Sequence, residues 1–290
     1  MLKAFSIIVA IVFFTSCGDS GKESNEMPVD SIKSSTVSDA DLGSKLYNIP
    51  SPIETFTILK MSGAKFDKSL LNAANNIDKY VSIYSKSINL GVYSADLSFC
   101  LLYKENQDVN FYLKNVNELT TSLGIDGDFA QLVSQRLKAN ANNSDSILQI
   151  VSDASVDAYV YLKENQRNST SVLITAGGWL EAMHFIIKMA ETTQNKDIIS
   201  LVASQRNVIK NLVIMLSKFE SDAEIASLLT EIKDISAIYE TLKESKDKST
   251  VASIDKKIVS IGNNKSYEIS KEELSAIREK IELLRNKLTI

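Results

Sequence analysis

The chain has 290 residues, 44% of them hydrophobic, and its 32 basic and 36 acidic side chains leave a formal net charge of −4. This length and composition suffice for one large globular domain or two small ones. A mildly acidic chain without a basic run is not typical of nucleic-acid-binding proteins, so we expect no nucleic acid among its partners.

The first predicted element is an export signal over residues 1–16. Lys3 precedes an apolar run of 11 residues, 4–14, and small residues follow it. A positive start, a short apolar stretch and small residues before a cleavage site are typical of a secretory signal peptide. The run is too short for a membrane-spanning helix, which needs about 20 residues.

The cysteine that follows this signal predicts a lipid anchor. Residues 14–17, Phe-Thr-Ser-Cys, resemble a bacterial lipobox, which implies that Cys17 becomes the acylated N-terminus. Several acyl chains would hold the protein firmly on a membrane, and we expect a cell-envelope location at the outer membrane. A plain secretory signal is the alternative. With Cys17 acylated, Cys100 has no disulfide partner within the chain and is predicted to be a buried thiol.

Residues 17–48 are predicted to form a flexible tether. Their side chains are mostly small and polar and cannot bury enough apolar surface to fold. About 30 such residues span roughly 30 Å, which would hold a domain clear of a lipid surface. We place the folded domain at 49–290, because Pro52 suits the first turn of a helix.

The domain is predicted to be all-α. All three prolines precede residue 53 and glycines are few afterwards, whereas strands and turns usually need such residues. Ser270 and Glu273 form a capping box before a stripe of apolar residues at helical spacing. We predict helices over 51–62, 76–104, 108–123, 128–141, 144–164, 169–193, 196–218, 222–245, 250–261 and 270–289. Short polar joints favour a helical bundle or a short stack of antiparallel helical hairpins.

Two segments 87 residues apart suggest an internal duplication. The blocks that begin at Gly91 and Gly178 each have an aromatic residue within two positions and an alanine four positions on. We predict two similar halves, 76–141 and 144–218, followed by C-terminal helices over 222–290. A chance similarity is the alternative.

Three stretches within 47–219 resemble a family of helical lipoproteins of Bacteroidota-type bacteria that carries no established activity. They are Pro50-Ser51-Pro52-Ile53-Glu54, the block 91–97 and Ala176-Gly177-Gly178-Trp179-Leu180-Glu181. The resemblance implies a fold and a location only. Within such bacteria, Asp30-Ser31-Ile32 and Asp145-Ser146-Ile147 are similar to short O-glycosylation sites.

The single histidine limits the metal chemistry that can be predicted. Glu181 and His184 have the Glu-x-x-His spacing of di-iron bundles, but such centres need two of these motifs. We therefore predict no metal and no cofactor, and a mononuclear site with distant carboxylates stays open. The favoured interpretation is that His184 is hydrogen-bonded to Glu181.

Asp96 and a pair of glycines stand out on predicted helices. Asp96 lies in an apolar stretch, where a carboxylate must be paired, hydrogen-bonded or protonated, and we favour a bond to Tyr93 or to the backbone of another helix. Gly177 and Gly178 each cost about 1 kcal/mol in a helix. Close helix approach, or a ligand lying against bare backbone, would offset that cost.

These residues suggest one candidate site. If the two halves face each other, a central ligand groove would be lined by Gly91, Tyr93, Asp96, Gly178, Trp179, Glu181 and His184. The favoured function is a non-enzymatic binding or scaffold module for an envelope protein or a small ligand. One alternative is an envelope enzyme that acts on glycan or peptide through carboxylates such as Asp96 and Glu181. Another is a structural subunit whose last helix, 270–289, packs on a partner.

Overall fold

The computed structural model of the chain describes residues 49–125, 128–140, 143–245 and 266–290. The predicted signal peptide, Cys17 and tether lie outside the described residues, as do the predicted helix 250–261 and the Asp30-Ser31-Ile32 motif. Within the described ranges the chain forms ten α-helices, two 3-10 helices and one two-stranded antiparallel sheet. The prediction of an all-α fold is confirmed.

The α-helices and strands follow in chain order. They are α1 (Pro52–Met61), α2 (Ile83–Tyr103), α3 (Asn106–Ser122), α4 (Asp128–Ala139), α5 (Ser144–Glu164), α6 (Asn168–Thr193), α7 (Lys196–Ser204), α8 (Arg206–Ser217), α9 (Ala223–Thr241), β1 (Lys243–Glu244), β2 (Tyr267–Glu268) and α10 (Lys271–Thr289). The 3-10 helices are Lys68–Leu70 and Ala74–Lys79.

Three helix boundaries differ from the predicted ones. The helix predicted over 76–104 begins at Ile83, because Ala74–Lys79 is a 3-10 helix and Ser82 caps α2 by accepting the Ser85 N–H. The helix predicted over 196–218 is broken at Gln205 into α7 and α8. The helix predicted over 222–245 ends at Thr241, and the next residues pair with β2.

Helices α2 and α6 form the centre of the fold. One hydrophobic core surrounds α6 and includes apolar residues of α1, α2 and α7–α10. The other lies between α2 and the helices α3, α4 and α5. Helix α6 is the one described helix that is long and apolar enough to cross a membrane, yet 89% of its most apolar window is buried inside the protein.

The central helices touch through glycine. A Cβ atom added at Gly91 would overlap the carbonyl oxygen of Ile174, and one added at Gly177 would overlap the carbonyl oxygen of Ile88. The backbones of α2 and α6 are therefore in direct contact, which is the close approach expected from the glycine pair. Only residues without a side chain fit at these two positions.

Residues 62–82, which we call the strap, connect α1 to α2. Side chains from α2 and α3 hold its backbone: Tyr112 donates to the Asn72 carbonyl at 2.7 Å and Tyr93 to the Ala73 carbonyl at 2.9 Å. Tyr80 in turn donates to the carbonyl of Thr289 at the end of α10, at 2.9 Å. Polar contacts thus fasten the strap across the centre of the fold.

Helix α10 buries its apolar face within its own chain. Ile277, Ile281 and Leu284 belong to the core around α6. This apolar face is therefore covered by α6 and α9 of the same chain and is not free to pack on a partner.

Candidate functional site

Three ionisable side chains from three helices meet in the interior. Asp96 on α2 and Glu181 on α6 are both 0% exposed, and Arg285 enters from α10. The Arg285 Nε and Nη2 atoms donate to the two carboxylate oxygens of Glu181, each at 2.6 Å. Nη2 also donates to the Leu70 carbonyl of the strap at 3.2 Å. A two-pronged pair of this kind is among the strongest hydrogen-bonded contacts in proteins.

Asp96 is the carboxyl of this cluster whose pKa burial shifts most strongly. Its burial, and then the negative charge of Glu181, raise the pKa of the Asp96 carboxyl well above its usual range. Oδ1 accepts the Asn72 backbone N–H at 3.4 Å, whereas Oδ2 accepts none. The guanidinium of Arg285 is paired with Glu181, whereas no described residue offers Asp96 a hydrogen-bonded cation.

The expected partners of Asp96 are present only in part. Tyr93 donates its hydroxyl to the Ala73 carbonyl and not to Asp96. The backbone group that reaches Asp96 belongs to Asn72 in the strap and not to another helix. Burial is the main cause of the raised pKa of this carboxyl, and the Asn72 N–H is the one hydrogen bond that the described residues offer it.

His184 does not pair with Glu181, and that prediction is wrong. Its Nδ1 atom lies 2.7 Å from Oε1 of Glu282 on α10, because both oxygens of Glu181 are taken by Arg285. Burial by itself would raise the pKa of Glu282, but the hydrogen bond and charge of His184 and the charge of Lys188 lower it overall. Lys188 Nζ stands 3.6 Å from the same Oε1.

The described side chains form no evident metal site. Among them, no group of three or more His, Cys, Asp or Glu residues is arranged to hold an ion. His184 has one carboxylate neighbour, and that carboxylate also faces a lysine.

An apolar groove of about 440 Å³ opens between α2, α3, α4, α5 and α6, next to the start of α1. Among the described residues that line it, only Glu54 is charged, and its carboxylate is engaged in the capping box with Ser51. Wall hydroxyls such as those of Ser94, Thr120 and Thr175 donate to carbonyls of their own helices. The groove therefore offers mainly hydrocarbon surface.

Trp179 is the exception on this apolar wall. The side chain lines the groove and is 5% exposed. Within the described part of the chain its Nε1–H is buried without an acceptor. Buried tryptophan N–H groups usually find a partner, so this side chain carries an unsatisfied donor beside the groove.

A second cavity, of about 700 Å³, lies between the strap, α6 and α10, and we call it the strap cavity. Residues of the strap from Gly63 to Leu70 form one wall. His184, Lys188 and Arg285 line the opposite side. The groove and the strap cavity share no lining residue.

The seven residues predicted to line one groove are divided among three places. Gly91, Gly178 and Trp179 line the apolar groove. His184 lines the strap cavity. The other three are fully buried and line neither cavity: Tyr93, Asp96 and Glu181.

Arg285 was missed at the sequence level, although a local signal exists. It follows Ile281 by four positions, so it lies on the apolar face of α10. A basic residue on such a face needs a buried counter-charge.

Comparisons with protein-family models, with curated proteins and with solved structures find no match to this chain. The fold and the two cavities define an all-helical protein with separate apolar and charged cavities. Its function is therefore argued from these two surfaces.

Proposed function

We propose that this protein is a lipid-anchored lipoprotein of the bacterial cell envelope that binds a small, largely apolar molecule in the groove between α2, α5 and α6. The observation that carries the proposal is an almost uncharged groove whose lining includes Trp179, a residue with a buried, unpartnered Nε1–H among the described residues. Small-molecule sites are typically concave and mostly apolar, with a few polar groups that fix the orientation of the ligand.

The chemistry of the groove specifies the ligand class. A volume of about 440 Å³ suits a molecule of modest size. A charged group would be buried against hydrocarbon without a counter-charge, which is unfavourable. A neutral ligand with one acceptor oxygen, such as an ester, a ketone or an alcohol, would satisfy Trp179. Such molecules partition into membranes, where a lipid-anchored protein would meet them.

Groove binding is tested with the protein's own fluorescence. Trp179 is the only tryptophan of the chain, so its emission reports on the groove alone. We expect the neutral apolar dye N-phenyl-1-naphthylamine to quench this emission by energy transfer, in a saturable manner. Ser152→Phe places a ring into the groove wall of α5 and should weaken binding of the dye about tenfold or more.

Val160→Phe is the matched control for this experiment. Val160 is on the same helix, is 40% exposed and does not line the groove. The dye should bind this variant as it binds the parent protein. An equal loss in both variants, or quenching that never saturates, would contradict the proposal.

The lipid anchor has a separate test. Cys17→Ser removes the acceptor thiol of the predicted lipobox. We expect cells that express the parent protein to incorporate a labelled fatty acid into it and to retain it in the membrane fraction. The variant should lose the label, and label retained in it would refute acylation at Cys17.

The alternative of a carboxylate-dependent enzyme receives no comparable support. Asp96 and Glu181 are both completely buried, and neither lines the groove or the strap cavity.

A further inference from the structure

We infer that the strap cavity is a second binding site, which takes the oxyanion group of a small molecule through Arg285, His184 and Lys188. It lies apart from the apolar groove, because the two share no lining residue. The inference therefore does not rest on the proposed function.

The ionisable side chains of the strap cavity are mainly basic. Lys65, Lys188 and Arg285 line it, against one carboxylate, that of Asp67. The Asp67 carboxylate already accepts the backbone N–H and the hydroxyl of Ser69, at 2.9 and 2.6 Å. The lining thus carries an excess of positive charge.

The carboxylates that balance these cations are not part of the lining. Glu181 is completely buried on the inner side of Arg285, and Glu282 is hydrogen-bonded to His184. Neither glutamate lines the cavity. An anion that enters would therefore contact the cations and not these glutamates.

Two nitrogen atoms remain for a ligand. Arg285 uses Nε and Nη2 for protein contacts, and among the described residues Nη1 has no acceptor. His184 uses Nδ1 for Glu282, and no described residue bonds Nε2, which donates when the ring is protonated. Both side chains are held in place by their glutamate partners, so a bound group would find them already oriented.

The size and walls of the cavity indicate more than a bare ion. Guanidinium and ammonium groups recognise carboxylates and phosphates alike. The cavity of about 700 Å³ exceeds either group, and Phe66, Leu70 and Met189 supply apolar surface beside the cations. The ligand class is a small organic acid or a phosphate ester with an apolar portion.

The single histidine makes this inference directly testable. His184 is the only histidine of the chain. Untagged protein labelled with ¹⁵N-histidine therefore gives one set of NMR signals from imidazole nitrogens, and these report on the strap cavity. At constant pH and ionic strength, we expect inorganic phosphate or hexanoate to shift these signals in a saturable manner, whereas chloride does not. A response to phosphate favours phosphate esters, and a response to hexanoate favours carboxylic acids.

Two variants with the same change of charge give the control. Lys188→Gln should weaken binding of the active probe at least fivefold. Lys114→Gln, on the exposed side of α3 and outside the cavity, should leave the affinity unchanged. The inference is overturned if neither probe gives a saturable shift, if Lys188→Gln has no effect, or if Lys114→Gln weakens binding equally. Trp179 emission in the same samples reports binding in the groove separately. The two proposals can therefore be supported or contradicted independently of each other.

Discussion

Replacing Glu181 with Gln is expected to lower the free energy of unfolding by about 3–5 kcal/mol, because it leaves the Arg285 guanidinium buried without its counter-charge. The side chain of Arg285 is 11% exposed and that of Glu181 is 0% exposed, so water can screen little of the loss. Gln retains the shape of Glu, so the change isolates the charge. Urea unfolding followed by circular dichroism at pH 7 measures the effect.

Asp96→Asn is the matched substitution and is expected to be far milder. Burial and the charge of Glu181 raise the pKa of Asp96 well above its usual range, so we predict that the folded protein retains the proton on this carboxyl at neutral pH. An Asn amide is a neutral group of the same shape as a protonated carboxyl and can also donate a hydrogen bond. We expect this variant to equal or exceed the parent protein in stability at neutral pH.

The difference in stability between Asp96→Asn and the parent protein should depend on pH, with a sign that follows from the raised pKa of Asp96. An unfolded Asp ionises near pH 3.9, whereas folded Asp96 retains its proton to higher pH. Between these two pKa values, folding takes up a proton, and the parent protein loses about 1.4 kcal/mol of stability per unit rise in pH from this group. Asp96→Asn lacks this loss. Its stability relative to the parent should rise with pH above about 4 and level off above the folded pKa.

Unfolding curves at several pH values between 4 and 8 decide the matter. A pH-independent difference between Asp96→Asn and the parent would mean that Asp96 is ionised in the fold. Equal destabilisation by Asp96→Asn and Glu181→Gln at pH 7 would likewise contradict the assignment of the charge to Glu181.

Local signals in the sequence were sufficient for much of the fold. The capping box at Ser270 and Glu273 is present, with the side chain of each residue bonded to the backbone of the other. The apolar stripe behind it is the buried face of α10. These features depend on contacts within a few residues, which a sequence displays directly. The 3-10 helix in the strap departs from the prediction because its backbone is held by distant side chains, such as Tyr93 and Tyr112.

The site was predictable only where local context carried the information. The apolar residues around Asp96 in the sequence predicted a buried carboxyl, and Asp96 is completely buried. Its neighbour Glu181 and the counter-charge Arg285 lie on helices far away in sequence, and no spacing rule joins them. For His184, the nearby Glu181 suggested a partner, but Arg285 binds that carboxylate with two hydrogen bonds. Competition between distant partners decided the pairing.

Substitution of Gly91 or Gly177 with Ala is expected to cost about 3 kcal/mol or more. Each new Cβ would overlap a backbone carbonyl oxygen on the facing helix, that of Ile174 or of Ile88. A backbone atom cannot rotate away as the end of a side chain can, so α2 and α6 would have to separate. The helix propensity that Ala gains over Gly, about 1 kcal/mol, is too small to offset this.

Gly178→Ala is the neighbouring control, with the same change of composition on the same helix. Its Cβ would lie 3.5 Å from the Gly91 carbonyl oxygen and 3.5 Å from Pro52 Cγ, which is ordinary contact. We expect unchanged or slightly higher stability, because the gain in helix propensity meets no clash. Thermal and urea unfolding of the three variants compares them directly. If Gly177→Ala were as stable as Gly178→Ala, the backbones of α2 and α6 could not be in the direct contact that the overlap with the Ile88 carbonyl oxygen implies.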